Sequence, residues 1–360
     1  VTEAQETSAV ESKFLSEVRQ VTDGFVKAGE GYFSPDGKQI IYQAVRQEYP
    51  FYQIFTQPLQ GGIPRLISTG RGRTTCSYFS PDGKRLLFAS SHLDPKMDET
   101  EAAERKQQEE DRKSGKRRRY SWPFDPHTDI FEADLQGNLL RRLTTEVGYD
   151  AEGAYSYDGK KIAFAAARGI WFDIFVMAAD GKNPLNLTRY KSHDQHPAWS
   201  PDGTSIAFSG LKGGISDIYT LTIATETVDQ LTDDKYADLQ PTWSPDQSTI
   251  AFVSDRYEGS DFNQLTYGKA GIALLDLESG DISTLEPFGE VKHSNPQFSP
   301  DGRSIYFISD QDGFSDIYQY TFDSGDLRRI TNIQTGVSGI TGMSPALSVA
   351  REAGTKERDR

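Results

Sequence analysis

The 360-residue sequence predicts an all-β fold, a six-bladed β-propeller whose blades are four-stranded antiparallel sheets. Three observations lead to this prediction. A segment resembling Phe-Ser-Pro-Asp-Gly occurs six times, at a spacing of about 45 residues apart from one long insertion and one shorter one, which is typical of propeller blades. Each copy is followed by short β-rich runs, and in most repeats a glycine-containing turn precedes the last run. Seven blades are the alternative, because residues 341–348 resemble the start of a further repeat.

The repeated segment is a turn that closes a hairpin. The copies align on a central serine, namely Ser34, Ser80, Ser156, Ser200, Ser244 and Ser299. Proline presets the backbone at the second turn position, aspartate bonds to its own backbone, and glycine accepts the left-handed conformation. The turn is therefore expected to join the first two strands of each blade.

The other strands follow each turn in a fixed order. A nearly continuous apolar run, such as IAF at 206–208, predicts a second strand that is covered on both faces. DIF or DIY marks the third strand, with QIF in the first repeat, and the fifth repeat departs with GIALLDL. A fourth strand such as LNLT or RRIT ends the repeat. The aspartates that begin the third strands are expected to anchor turns between blades rather than to catalyse a reaction; they are Asp129, Asp173, Asp217 and Asp316.

The chain ends and one insertion depart from the repeat. We expect a flexible tail over 1–16, the propeller over 17–345 and a polar tail over 346–360. Val18 to Thr22 resembles an isolated fourth strand, which would complete a blade formed near the C-terminus and protect its edge. The charged insertion at 94–126 favours helix but is polar all round, so it predicts a mobile arm that buries little.

Composition argues against several classes of function. A formal net charge of −14 disfavours nucleic-acid binding, which needs clustered Lys and Arg. The single cysteine, Cys76, allows no internal disulfide. No apolar run is long enough for a transmembrane helix, and the polar stretch from Val1 is what either a processed, exported protein or a shortened chain would show. The motifs of serine hydrolases, zinc proteases and nucleotide-binding proteins are not present.

The combined FSPDGK, IxF, DIY and LT segments resemble the TolB-type propeller repeat, over residues 17–345. In TolB, a periplasmic protein of the Tol–Pal envelope system, the propeller follows an α/β domain and binds the peptidoglycan-associated lipoprotein. No such domain precedes the first repeat of this sequence. The resemblance implies a monomeric, non-enzymatic propeller without a cofactor, periplasmic or otherwise exported, that binds a protein such as an envelope lipoprotein.

The candidate binding site consists of the residues four and six positions before the aligned serines. The loop that leads into each innermost strand of a propeller lines its central channel, so these positions are expected to converge. In four consecutive repeats they are polar or ionisable: Asp150, Glu152, Asp194, His196, Asp238, Gln240, His293 and Asn295. Since acidic groups dominate, we expect a cation or a partner loop that offers Lys, Arg or backbone amides. The alternative is that these side chains cap turns.

A divalent metal at the channel is a further hypothesis. His193, His196, Gln240 and His293 could converge there, and imidazole is a common ligand of transition metals. Some propeller-fold uronate lyases use a comparable site of His and Gln, so a metal-dependent lyase is the alternative function. A third hypothesis makes the chain the non-catalytic propeller of a larger peptidase or transport protein.

Overall fold

The computed structural model describes residues 15, 20–115, 122–189, 193–261, 264, 266, 268–285, 287–288, 291–333, 336–337 and 347–350. These residues form six sheets, each of four antiparallel strands that are consecutive in the chain, and one α-helix. The sheets are the blades of the predicted six-bladed β-propeller. They are numbered here as blades 1 to 6 in chain order.

Val21–Asn186 belongs to one compact unit, which contains the first three blades. Blade 1 consists of β1 (Lys27–Phe33), β2 (Gln39–Val45), β3 (Gln53–Pro58) and β4 (Arg65–Leu66). Blade 2 consists of β5 (Thr74–Phe79), β6 (Arg85–Ser90), β7 (Asp129–Asp134) and β8 (Leu139–Arg142). Blade 3 consists of β9 (Tyr149–Tyr155), β10 (Lys161–Ala167), β11 (Phe172–Ala178) and β12 (Leu185–Asn186).

Leu187–Arg351 belongs to a second compact unit, which contains the other three blades. Blade 4 consists of β13 (His193–Trp199), β14 (Ser205–Lys212), β15 (Ile215–Thr222) and β16 (Thr227–Gln230). Blade 5 consists of β17 (Asp238–Trp243), β18 (Thr249–Ser254), β19 (Gly271–Asp276) and β20 (Ile282–Leu285). Blade 6 consists of β21 (His293–Phe298), β22 (Ser304–Ser309), β23 (Asp316–Thr321) and β24 (Leu327–Arg329).

The apolar core of each unit lies between neighbouring blades. In the first unit, Ile54 of blade 1 belongs to the same buried cluster as Phe88 of blade 2. In the second unit, Ile218 of blade 4 clusters with Phe252 of blade 5. The central strands are therefore covered on both faces, which explains their continuous apolar runs.

The serine and the aspartate of the repeated turn make the same hydrogen bonds in all six blades, although Tyr157 replaces the proline in blade 3 and Gln247 the glycine in blade 5. Each central serine donates its hydroxyl proton to the aspartate two residues later, at Oγ–Oδ1 distances of 2.5 to 2.7 Å. The same serine Oγ accepts the backbone N–H of the residue five positions later, at 2.9 to 3.0 Å. The fourth turn residue has a positive φ in blade 1, where it is Gly37, and in blade 5, where it is Gln247. These bonds fix the register between the first two strands.

The aspartates that begin the third strands join strands within a blade. Thr331 Oγ1 donates to Asp316 Oδ1 at 2.7 Å and accepts the N–H of Ile317 at 3.0 Å. Asp217 and Thr232 have the same spacing and the same bond, at 3.4 Å. The aspartate therefore ties its third strand to the chain that leaves the fourth strand. For Asp217 that chain is the connection between blades 4 and 5, as expected of an anchor between blades.

The insertion in blade 2 contains the helix α1 (Met97–Ser114), and this helix packs against blade 1. Met97 is fully buried. Tyr49, in the connection between β2 and β3, donates to Glu101 Oε1 at 2.5 Å. Arg105 donates to a main-chain oxygen of the same connection at 2.8 Å. Met97 is the one buried residue of this helix, so the contacts that attach the insertion to blade 1 are mainly polar.

Two predictions about the chain ends lie mainly outside the described residues. Of the expected closing strand, residues 18–19 are not described and residues 20–22 have no strand structure. The fourth strand of blade 6 is β24, from its own repeat. Most of the partial repeat at 341–348 is also outside the described residues. In the part of the chain that is described, no helix is long and apolar enough to span a membrane.

Candidate binding site

A β-bulge interrupts the first strand of every blade at the predicted site. The register with the second strand shifts there, and the residue four positions before the aligned serine has φ between 49° and 57°. These bulge residues are Glu30, Cys76, Glu152, His196, Gln240 and Asn295. The left-handed conformation costs a non-glycine residue about 1–2 kcal/mol. Such strain persists only where surrounding contacts enforce it, and it is common at functional sites.

In the second unit, the bulge residues of blades 5 and 6 contact each other directly. Gln240 Oε1 accepts hydrogen bonds from the N–H and the Nδ2 of Asn295, at 3.2 and 2.9 Å. The N–H of Gln240 donates to Ser209 Oγ of blade 4 at 3.1 Å. The bulges therefore connect neighbouring blades as well as presenting polar side chains.

In the first unit, the bulge residues form an acidic environment. Thr75 Oγ1 donates to Glu30 Oε2 at 3.2 Å and lies 3.3 Å from Cys76 Sγ. Burial raises the pKa of the Cys76 thiol, and the carboxylates of Glu30 and Glu152 raise this pKa further. The thiol is thus held in its neutral form beside two acidic groups.

The four predicted residues six positions before the serines are buried, and two of them form ion pairs. Asp150 accepts from both terminal nitrogens of Arg168, one of them at 2.8 Å, and Asp238 accepts from Arg256 at 2.7 Å. Burial raises the pKa of both carboxyl groups, while the arginines favour the charged form. Asp194 is also buried. These three predicted contact residues therefore lie beneath the surface that a partner could reach.

His293 faces the interior of blade 6. Its side chain is buried between the rings of Phe288 and Phe307, with centroid distances of 5.9 and 5.2 Å. Burial lowers the pKa of His293 to about 4. The described residues contain no group of three or more His, Cys, Asp or Glu side chains that could hold a metal ion. The predicted metal candidates therefore have no supporting ligand cluster within that part of the chain.

The structure divides the eight predicted residues into two groups. Five are buried, namely Asp150, Asp194, Asp238, His293 and Asn295. Three keep partly exposed side chains at the bulges: Glu152 in the first unit, and His196 and Gln240 in the second. Glu30 is also a partly exposed bulge residue, and the sequence analysis did not select it. Its place four residues before Ser34 is the feature that identifies it.

Comparison with known proteins supports the propeller and gives several functional associations. Residues 185–268 match the family model described as TolB beta propeller domain. A 51-residue stretch is 41% identical to the uncharacterized peptidase YuxL of Bacillus subtilis (strain 168), covering 14% of this chain and 8% of that protein. TolB from Acinetobacter baumannii is 18% identical with a TM-score of 0.53, over 84% of this chain and 65% of that chain. Oligogalacturonate lyase from Vibrio parahaemolyticus is 16% identical with a TM-score of 0.59, over 83% and 79% of the two chains.

The predicted resemblance to TolB-type propeller repeats is confirmed by the family match and by the shared fold. Identities below 20% to the solved structures concern the fold alone. The similar proteins include a TolB, a lyase and a peptidase. One propeller fold hosts all three, so the function of this chain depends on its own residues.

Proposed function

We propose that this chain is a non-enzymatic, protein-binding propeller of the cell envelope. Its partner binds at the loop end, defined as the end of each blade where the first strand begins and the second strand connects to the third. The observation that carries the proposal is the bulge that recurs in all six first strands, with a strained non-glycine residue each time. Four of these six residues keep partly exposed side chains, and strained backbone is common at functional sites.

The partly exposed bulge residues indicate the chemistry of the partner. The first unit offers the carboxylates of Glu30 and Glu152, and the second offers the imidazole of His196 and the amide of Gln240. Carboxylate and amide oxygens accept hydrogen bonds from backbone N–H groups, Lys and Arg. The attraction should weaken as salt concentration rises, because screening acts on exposed charges.

The metal-dependent lyase is the enzymatic alternative, and its support is the shared fold with oligogalacturonate lyase. That activity would need a cluster of metal ligands, and the described residues contain none. The test is incubation of the purified protein with oligogalacturonate and Mn²⁺. Formation of an unsaturated product would contradict the non-enzymatic proposal.

A second candidate function is that of the non-catalytic propeller of a larger peptidase. The observation in its favour is the 41% identity to the Bacillus peptidase over 51 residues. Sequencing the natural gene on both sides of the present chain distinguishes the two candidates. A hydrolase domain encoded in the same reading frame would favour the peptidase.

Affinity capture tests the proposed function. The native protein, the double variant Glu30→Gln/Glu152→Gln and the control Lys84→Ala/Lys160→Ala are each incubated with envelope extract. The controls lie in the repeated turns, away from the loop end. We expect one protein to be captured by the native and control proteins and to be reduced about tenfold with the glutamine variant. Equal capture by all three would contradict binding through these bulge residues.

A further inference from the structure

An exposed apolar patch lies at the loop end of the first unit. It consists of Phe124, Val147 and Ile170, whose exposed fractions are 48%, 73% and 77%. The ring of Phe124 packs on those of Tyr149 and Phe172, with both centroid distances at 5.1 Å. Large apolar side chains that are exposed together are a feature of interaction surfaces.

Three chain segments are held together to form this apolar patch. Val147 lies just before β9, Ile170 lies in the connection between β10 and β11, and Phe124 precedes β7. The N–H of Gly148 donates to Pro126 O at 2.8 Å, which joins two of the segments. Gly148 has a φ of 150°, and a Cβ there would collide with the main chain at the end of β10. The patch is therefore part of the folded framework.

Acidic groups form the exposed rim of the apolar patch. Arg168 contacts Asp150 and also Glu146, the latter at 3.4 Å. The arginine side chain is only 22% exposed, whereas that of Glu146 is 75% exposed. Asp125 adds a partly exposed carboxylate next to Phe124. Arg168 pairs with the buried Asp150 and Arg73 interacts with Asp125, so the most exposed of these charges, that of Glu146, is negative.

We propose that the apolar patch binds a protein segment in which an aromatic or aliphatic side chain is flanked by Lys or Arg. This inference rests on the proposed function and names the surface and the chemistry of the partner. Charge complementarity selects this occupant. A second copy of this chain would place one acidic rim against another, and an anionic lipid surface would be repelled by the same carboxylates.

Two synthetic peptides test the inference, fluorescein-labelled GKFWKLKG and GEFWELEG. Their binding to the purified protein is measured by fluorescence anisotropy at low salt and at about 0.5 M salt. We expect the basic peptide to bind about tenfold more tightly than the acidic one at low salt, and to lose most of that advantage at high salt. Equal affinity for the two peptides, or an advantage unaffected by salt, would overturn the inference.

Three variants locate the binding surface. Phe124→Ser/Ile170→Ser should weaken binding of the basic peptide about tenfold. Glu146→Lys preserves the apolar side chains and should reverse the preference between the peptides. Ile63→Ser is the matched control, because Ile63 is 92% exposed but lies in the connection between β3 and β4 of blade 1. Unchanged binding by the first two variants would place the peptide elsewhere and refute the inference.

The capture experiment separates failure of this inference from failure of the proposed function. A partner lost with Glu30→Gln/Glu152→Gln but retained with Phe124→Ser/Ile170→Ser would overturn the inference and leave the proposed function intact. Loss of the same partner with both double variants, but not with Ile63→Ser, would support both.

Discussion

Substitution of Gln240 tests whether the bulges are strained positions held by contacts between blades. Gln240→Ala removes the acceptor of two hydrogen bonds from Asn295, whose side chain is 2% exposed. Each bond contributes about 0.5–1.5 kcal/mol net, so their loss should lower the free energy of unfolding by about 2 kcal/mol. Alanine also remains in the left-handed conformation, since φ at this position is 54°.

Two further variants separate the bonds from the strain. Gln240→Gly loses the same bonds but relieves about 1 kcal/mol of backbone strain, so it should be more stable than Gln240→Ala. Gln240→Glu keeps an oxygen acceptor and should remain within about 0.5 kcal/mol of the native protein. Urea unfolding is followed by the fluorescence of Trp199 and Trp243, which lie in the same unit. A glycine variant less stable than the alanine variant, or an alanine variant as stable as the native protein, would refute the reasoning.

Three other changes have defined outcomes. Replacing α1 with a Gly/Ser linker should lower the melting temperature, because burial of a side chain such as Met97 contributes about 1.5–3 kcal/mol. An unchanged melting temperature would show that the helix does not pack against blade 1. Burial raises the pKa of Asp217 to about 6, so the folded state binds the proton more tightly and stability falls as pH rises from about 4 to 6. Asp217→Asn should flatten that slope in urea midpoints, and an unaltered slope would contradict the assignment. Burial lowers the pKa of His293 to about 4, so stability falls as pH drops from about 6.5 towards 4. His293→Phe should lose this dependence in urea midpoints, and an unchanged dependence would contradict the assignment.

The blades could be predicted because their information is local. Ser-Pro-Asp-Gly specifies a turn through the side chains of four consecutive residues, and the apolar runs beside it specify covered strands. Even in blade 5, where Gln247 takes the glycine position, the remaining bonds of the turn are kept. Six repeats then made the fold class clear despite variation in single residues.

The bulges could not be predicted, because the residues at that position share no conformational preference. They include glutamate, cysteine, histidine, glutamine and asparagine, and none is glycine. The left-handed backbone is set by contacts such as that between Gln240 and Asn295, which are 55 residues apart. Position within the repeat therefore located the site, while the conformation depended on the neighbouring blade.

Burial of two candidate residues also depended on distant partners. Asp150 and Asp238 each pair with an arginine 18 residues later, at the end of the following strand. Each aspartate lies at the start of the first strand of a hairpin and its arginine follows the second strand. No local pattern in the sequence therefore shows that these carboxylates are paired and buried. The contacts between α1 and blade 1 also could not be predicted, because side-chain hydrogen bonds to main-chain oxygens leave no periodic pattern in the sequence of the helix.

Site-specific photo-crosslinking in cells tests most directly whether the loop end binds a protein partner. A benzophenone side chain is placed at Leu239, which is 36% exposed between two candidate residues, or at Thr204, in the turn between β13 and β14. The account predicts a discrete cross-linked protein from position 239 and none from position 204. No cross-linked product at position 239, or the same product from both positions, would contradict it.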